Sequence, residues 1–266
     1  MPQRLLLMTY CLGIRTHEGL VLASDSRTNA GIDQINVCCK MHSFVIPGER
    51  VFSVLSSGSL SLTQSIVTRI RQEFEQGRGL AEVESFYDAA RCVGRHIREI
   101  SEIDRTAMER DNIAFAVSFL VGGQIGDEPP QLYMIYAQGN PLRCTRSAPF
   151  LQIGETKYGR PILDRGIRYD DTSLEQAAKY AIISLDSTMR SNVAVGPPID
   201  MMVYRNNELA IRTYRRFQPE DESLFGIRSQ WEQGLRSAIS TLPDIDFGSP
   251  GSDLENGSTC LLKRSG

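Results

Sequence analysis

Two short apolar runs open the pattern, TYCLGIRT (9–16) and GLVLASDS (19–26). Both are rich in residues that suit a pleated surface, and the His17-Glu18 pair between them is short enough for a hairpin connection. KMHSFVI (40–46) and VFSVLSS (51–57) repeat the arrangement around Pro47-Gly48-Glu49-Arg50, whose proline and glycine predict a second hairpin. The period then changes. Leu62, Ile66, Ile70 and Phe74 recur every four residues and predict a helix, which Gly77 to Gly79 ends. Phe86, Ala90, Val93, Ile97 and Ile100 predict a second, longer amphipathic helix, whose apolar face could serve the core or an assembly contact.

Strand patterns return at 113–123, 131–139, 142–147 and 150–154, with a turn over Asp127–Pro130. Thr172-x-x-Glu175 has the form of a capping box, and Leu174, Ala178, Ala181, Leu185 and Met189 line the helix behind it. IDMMVYR (199–205) and LAIRTYRRF (209–217) predict two further strands joined at Asn206-Asn207, and Ile227, Trp231, Leu235 and Ala238 a last helix. Gly, Ser and Asp dominate the chain from Phe247 onward, so 246–266 is expected to be a disordered tail. Strand blocks alternate with helix blocks, and the fold class is α+β. Two antiparallel sheets packed face to face between helical layers accommodate that order.

Composition narrows the function. The 266 residues are 41% hydrophobic and carry a net charge of −3 from 29 basic and 32 acidic residues. No basic run is longer than two residues, so nothing marks a nucleic-acid partner. No apolar run approaches the roughly 18 residues of a membrane span, and MPQRLLLM has too short an apolar core for a signal peptide. Residues 1–8 are expected to be a short leader or a mis-assigned start, with Met8 as the initiator. The six cysteines are scattered with no CxxC pair or ligand spacing, which indicates neither zinc nor disulfides and fits a reducing cytoplasm.

Elimination then works on the catalytic motifs. The three histidines, His17, His42 and His96, belong to no HExxH, and the chain has no GxSxG elbow. The glycines form neither GxGxxG nor a Walker loop, so no cofactor is expected. What remains is Thr9, directly behind Met8 at the head of a strand. Inside a strand it is an ordinary residue. As the first residue of a mature chain, its hydroxyl would lie beside a free α-amine, a built-in base.

The residues Thr9-Tyr10-Cys11-Leu12-Gly13, Gly19 to Arg27, Lys40 and Ser57-Gly58-Ser59 resemble the proteasome-type β subunit family. That family places a threonine first, an aspartate in a "GvvlaaDsR" segment, and a lysine about fifteen residues later. Here Asp25 follows Thr9 by sixteen residues and Lys40 follows Asp25 by fifteen. SDSRTNAG and IGETKYGRPILDR (153–165) are most similar to the bacterial ancestral-β branch, called Anbu. The resemblance implies a four-layer αββα sandwich, the N-terminal-nucleophile hydrolase fold, over about residues 9–245. It implies Thr9 as nucleophile with its own amine as base, Lys40 as a fixed charge, and Asp25 as the group holding Lys40. It also implies the Gly58 amide as oxyanion donor.

Without the resemblance, Asp25 reads as a turn cap and Lys40 as a solvated edge residue. The supporting shell departs from the family pattern. Glu155 stands where a serine is expected, Ser191 near the usual aspartate, and Ala194 near the usual serine. The expected function is a self-assembling threonine peptidase acting on peptide or unfolded protein. A small-amide hydrolase of the same class and a non-catalytic assembly subunit stay open beside it, as do ring or spiral geometry and any ATP-driven unfoldase partner.

Overall fold

The computed structural model describes residues 9–29 and 35–246, so the expected leader and tail lie outside the described residues. Strands β1 (Tyr10–Thr16) and β2 (Gly19–Asp25) pair antiparallel, with Thr16 opposite Gly19 across the expected His17-Glu18 turn. A small ribbon that the pattern did not announce follows, β3 (Arg27–Asn29) with β4 (Ile35–Val37). The second hairpin is β5 (Met41–Ile46) with β6 (Arg50–Gly58), so Arg50 belongs to a strand rather than the turn. Helices α1 (Leu60–Glu75) and α2 (Phe86–Arg110) come next, then β7 (Val117–Ile125), β8 (Gln131–Ile135), β9 (Pro141–Arg143) and β10 (Phe150–Gly154). Helices α3 (Arg160–Gly166) and α4 (Leu174–Ser191), strands β11 (Ile199–Arg205) and β12 (Thr213–Phe217), and helix α5 (Glu222–Ser240) complete the order.

The strands form two five-stranded antiparallel sheets, ordered β10-β1-β2-β11-β12 and β5-β6-β7-β8-β9. Alternation along β1 shows how the layers are built. Tyr10, Leu12 and Ile14 face a core shared with Ala177, Ala181 and Leu185 of α4. Cys11 faces the opposite way, into a core between the sheets with Leu22, Leu55, Leu120, Leu132 and Met202. The outer face of the second sheet is covered by α1 and α2 through Leu62, Ile66, Phe86, Val93 and Ile97. The result is the αββα sandwich. Each fully buried Leu, Ile or Phe contributes on the order of 1.5–3 kcal/mol to holding its layers together.

Gly13 faces the core between the two sheets. A Cβ there would meet both methyls of Leu132 and one of Leu22 at 2.8 Å, so the missing side chain is what lets these leucines interlock.

Several expectations change. The Phe86, Ala90, Val93, Ile97 and Ile100 face of α2 is buried in the core, so it is not an assembly surface. That helix also runs ten residues past Ile100, where Met108 packs against the core among mostly polar neighbours. The α4 capping box is Ser173 with Gln176, one residue later than Thr172/Glu175. Thr172 Oγ1 instead accepts from the Arg168 amide at 2.9 Å. Residues 113–116 lie outside β7, and β12 starts only at Thr213, after Asn207 and Leu209 adopt positive φ. Helix α3 makes up the second helix block together with α4, though no apolar period marked its position. By its internal contacts the chain divides into two units, Met1–Arg228 and Ser229–Gly266, the second of which begins within α5.

Candidate active site

Thr9 stands immediately before β1, almost fully buried, on the wall of a cavity of about 560 Å³. The β1–β10 pairing fixes its backbone, because the Glu155 amide donates to the Thr9 carbonyl at 2.8 Å just beyond the Tyr10–Gly154 pair. Lys40, Ser57 and Gly58 line the same cavity.

Asp25 closes β2 with no exposed surface. Its Oδ1 accepts the Tyr10 amide at 3.0 Å and the Lys40 ammonium at 2.7 Å, and its Oδ2 accepts the Gly196 amide at 3.2 Å. Lys40 also donates to the Arg27 carbonyl at 2.6 Å. Burial pushes the Asp25 carboxyl up from its ordinary range, while the Lys40 charge and the donated hydrogen bonds pull it back. These three partners are all N–H donors, and a protonated carboxyl would aim its own hydrogen at none of them. The geometry is that of a carboxylate held in an ion pair.

Gly58 ends β6 with φ +116°, and a Cβ there would lie 2.1 Å from the Ala116 carbonyl oxygen. Only glycine fits at this strand end. Beside it, Ser57 Oγ is buried with no hydrogen-bond partner among the described residues.

The two supporting positions separate. Glu155 belongs to the Thr9 surroundings: its Oε2 accepts from Asn192 Nδ2 at 3.0 Å, and Lys157 Nζ lies 3.6 Å from Oε1. Ser191, the last residue of α4, is exposed and joins none of these contacts. The following residues do the work instead. Arg27 Nη1 donates to the Val193 carbonyl at 2.7 Å and the Arg27 amide to the Gly196 carbonyl at 3.3 Å, which ties the loop after α4 to the Asp25 strand end. Arg27, Asn192 and Gly196 were missed in the sequence because their roles rest on contacts spanning more than thirty residues.

A second buried carboxylate lies nearby on β11. Asp200 accepts from Ser26 Oγ at 2.9 Å, Tyr214 OH at 2.5 Å and Arg216 Nη1 at 3.1 Å, which fixes Ser26 beside Asp25. Cys11 is buried, and burial drives its thiol far above the ordinary range, which leaves it inert.

The expectation of no ligand spacing also needs correction. Cys92 and His96, four apart on α2, meet Glu73 of α1 with their ligand atoms within 4.8 Å of one another. A protein cation already fills that cluster, since Arg95 Nη2 lies 2.7 Å from Glu73 Oε2 and 3.6 Å from Cys92 Sγ. His96 Nε2 contacts Glu73 Oε2 at 3.1 Å and Nδ1 contacts Glu99 Oε2 at 3.2 Å. The group is an ion-pair network that joins the two helices.

With this geometry in place, likeness to known proteins becomes decisive. The family model described as proteasome subunit matches residues 9–204. Anbu, the ancestral β-subunit of Yersinia bercovieri, is 42% identical over 90% of this chain and 100% of its own, with a TM-score of 0.83. The chain belongs to the proteasome subunit family, in its Anbu branch. The Pseudomonas aeruginosa Anbu complex, solved as a helical assembly, is 43% identical, with a TM-score of 0.84 over 90% of this chain and 98% of its own. A more distant relative, the proteasome subunit beta of Haloquadratum walsbyi, is 24% identical over 211 residues, 79% of each chain. Around its cavity the chain brings together Thr9, Lys40 and Gly58, with Asp25 buried behind Lys40.

Proposed function

We propose that the chain is a threonine peptidase that hydrolyses peptide bonds once Thr9 is its first residue. One observation carries the reading: Lys40, held 2.7 Å from the buried Asp25, lines the same cavity as Thr9 and Gly58. In this reading Thr9 Oγ attacks the substrate carbonyl carbon and its proton passes to the Thr9 α-amine. The Gly58 amide donates to the oxyanion that develops. Collapse breaks the C–N bond, the ammonium returns its proton to the leaving amine, and an ester to Thr9 remains. Water, deprotonated by the same amine, then hydrolyses that ester.

Lys40 acts by its fixed charge, which favours loss of a proton nearby, and Asp25 holds it there. The three donors on Asp25 leave the ammonium little freedom to wander. Self-association is part of the proposal, drawn from the helical assembly of the Pseudomonas aeruginosa relative. So is a cytoplasmic location, which the unpaired Cys11, Cys38, Cys39, Cys92 and Cys144 support. Among the described residues no helix is long and apolar enough to cross a membrane.

Intact-mass spectrometry of protein from its native host, paired with turnover of a fluorogenic peptide, tests the reading. The expected result is a mature chain beginning at Thr9 whose activity disappears in Thr9→Ala and survives in part in Thr9→Ser. A dominant species that retains Met8 would sink the free-amine mechanism.

A further inference from the structure

We propose that the Thr9 cavity selects peptides with a carboxylate side chain on the acyl side of the bond cleaved, bound by Arg71 and His42. The proposal rests on the peptidase reading and adds the substrate class to it. The cavity runs along one face of α1, where Thr63, Gln64, Val67, Thr68 and Arg71 follow one another at helical spacing. Eight residues separate Thr63 from Arg71, which places Arg71 about 12 Å further along the helix. His42 enters from β5, two residues after Lys40 and therefore on the same side of the strand.

Three observations point to an anion. Among the described residues no aspartate or glutamate lines the cavity, whereas Lys40, His42 and Arg71 all do. Lys40 is committed to Asp25 at 2.7 Å, but neither Arg71 nor His42 has a hydrogen-bond or ion-pair partner among the described residues. Elsewhere on these helices a comparable guanidinium, Arg95, is taken up by Glu73 and Glu99. Finally, burial and the charge of Arg71 both lower the proton affinity of His42. A carboxylate between them would accept from the guanidinium and from an imidazole N–H, and would offset that penalty. A lysine or arginine side chain in the same place would meet the Arg71 charge with no acidic group of the described lining to offset it.

The test uses two peptides that differ only in glutamate or glutamine at the residue before the reporter group. Binding is measured by fluorescence anisotropy on Thr9→Ala protein, where no hydrolysis interferes, and turnover on the parent protein. The glutamate peptide is expected to bind about 10-fold more tightly than its glutamine partner, the scale of one charge-assisted contact. In Arg71→Ala, an exposed position on α1, the preference should fall to about 2-fold or less, and Arg71→Glu should reverse it toward a lysine peptide. Equal binding of the two peptides, no measurable binding of the glutamate peptide, or a preference that survives Arg71→Ala would overturn the proposal. Faster turnover of leucine or lysine peptides than of the glutamate peptide would overturn it too, while leaving the peptidase reading intact. If the acid preference in binding holds and no peptide is turned over, the peptidase reading fails and the binding pocket stands.

Discussion

The Lys40 ammonium and the Asp25 carboxylate lie 2.7 Å apart with side chains 7% and 0% exposed, so neither charge has water to fall back on. Removing one partner therefore does two things at once. Lys40→Ala should cut peptide turnover on the order of 100-fold through loss of a preorganised charge. It should also destabilise the fold by about 3–5 kcal/mol, because Asp25 is left as an unpaired buried charge. The double variant Asp25→Asn/Lys40→Met should recover much of that stability and none of the activity. Urea midpoints beside turnover rates separate the effects; a double variant as unstable as Lys40→Ala would show that the pair is not what the fold depends on.

Gly58→Ala should be poorly tolerated for a reason of geometry alone. Its φ of +116° would cost about 1–3 kcal/mol for a residue with a Cβ. The added methyl would also collide with the Ala116 carbonyl, 2.1 Å from its ideal position. A thermal melt unchanged from the parent would mean that β6 does not end as described.

The Glu73 network gives a pH signature of its own. The Arg95 hydrogen bonds hold the Glu73 carboxyl below its ordinary range. Its folded value is thus lower than the unfolded value of about 4.3. The stability it contributes is complete above about pH 4.3 and is lost as pH falls through the lower folded value. Glu73→Gln is expected to cost about 1 kcal/mol at pH 7, and the gap to the parent protein should narrow below about pH 4. A gap that stays constant from pH 7 to pH 3 would remove the ionised carboxylate from the account.

Self-association has a direct readout. Sedimentation velocity at micromolar concentration should show species well above the 29.7 kDa chain. A single peak at chain mass across that range would count against assembly. Because the Phe86–Ile100 face is core, Ile97→Asp should unfold the protein rather than yield a soluble monomer.

The sequence made the sandwich legible where period and turn chemistry agreed. β1 and β2 were readable because apolar runs flank a two-residue connection, and β11 matched its run from Ile199 to Arg205. It was misleading where one signal stood alone. Thr172 and Glu175 satisfy the capping pattern as well as Ser173 and Gln176 do, and only the backbone path decides between them. The site divides the same way. Thr9, Asp25, Lys40 and Gly58 could be named because they lie in short segments with a recognisable spacing. Arg71 could not, since on the polar side of an amphipathic helix it looks like any solvated cation. Asn192 and Gly196 were hidden because their partners, Glu155 and Asp25, come from strands far away in the chain.

Gly13 gives the packing between the sheets a wider reach than one residue suggests. Its absent side chain sets how deeply Leu22 and Leu132 mesh, four positions along β1 from Thr9. A larger residue there would act as a wedge between the strand that follows Thr9 and the sheet whose β6 ends at Gly58. The spacing of the two cavity walls is thus tied to a position inside the sandwich that offers no functional group.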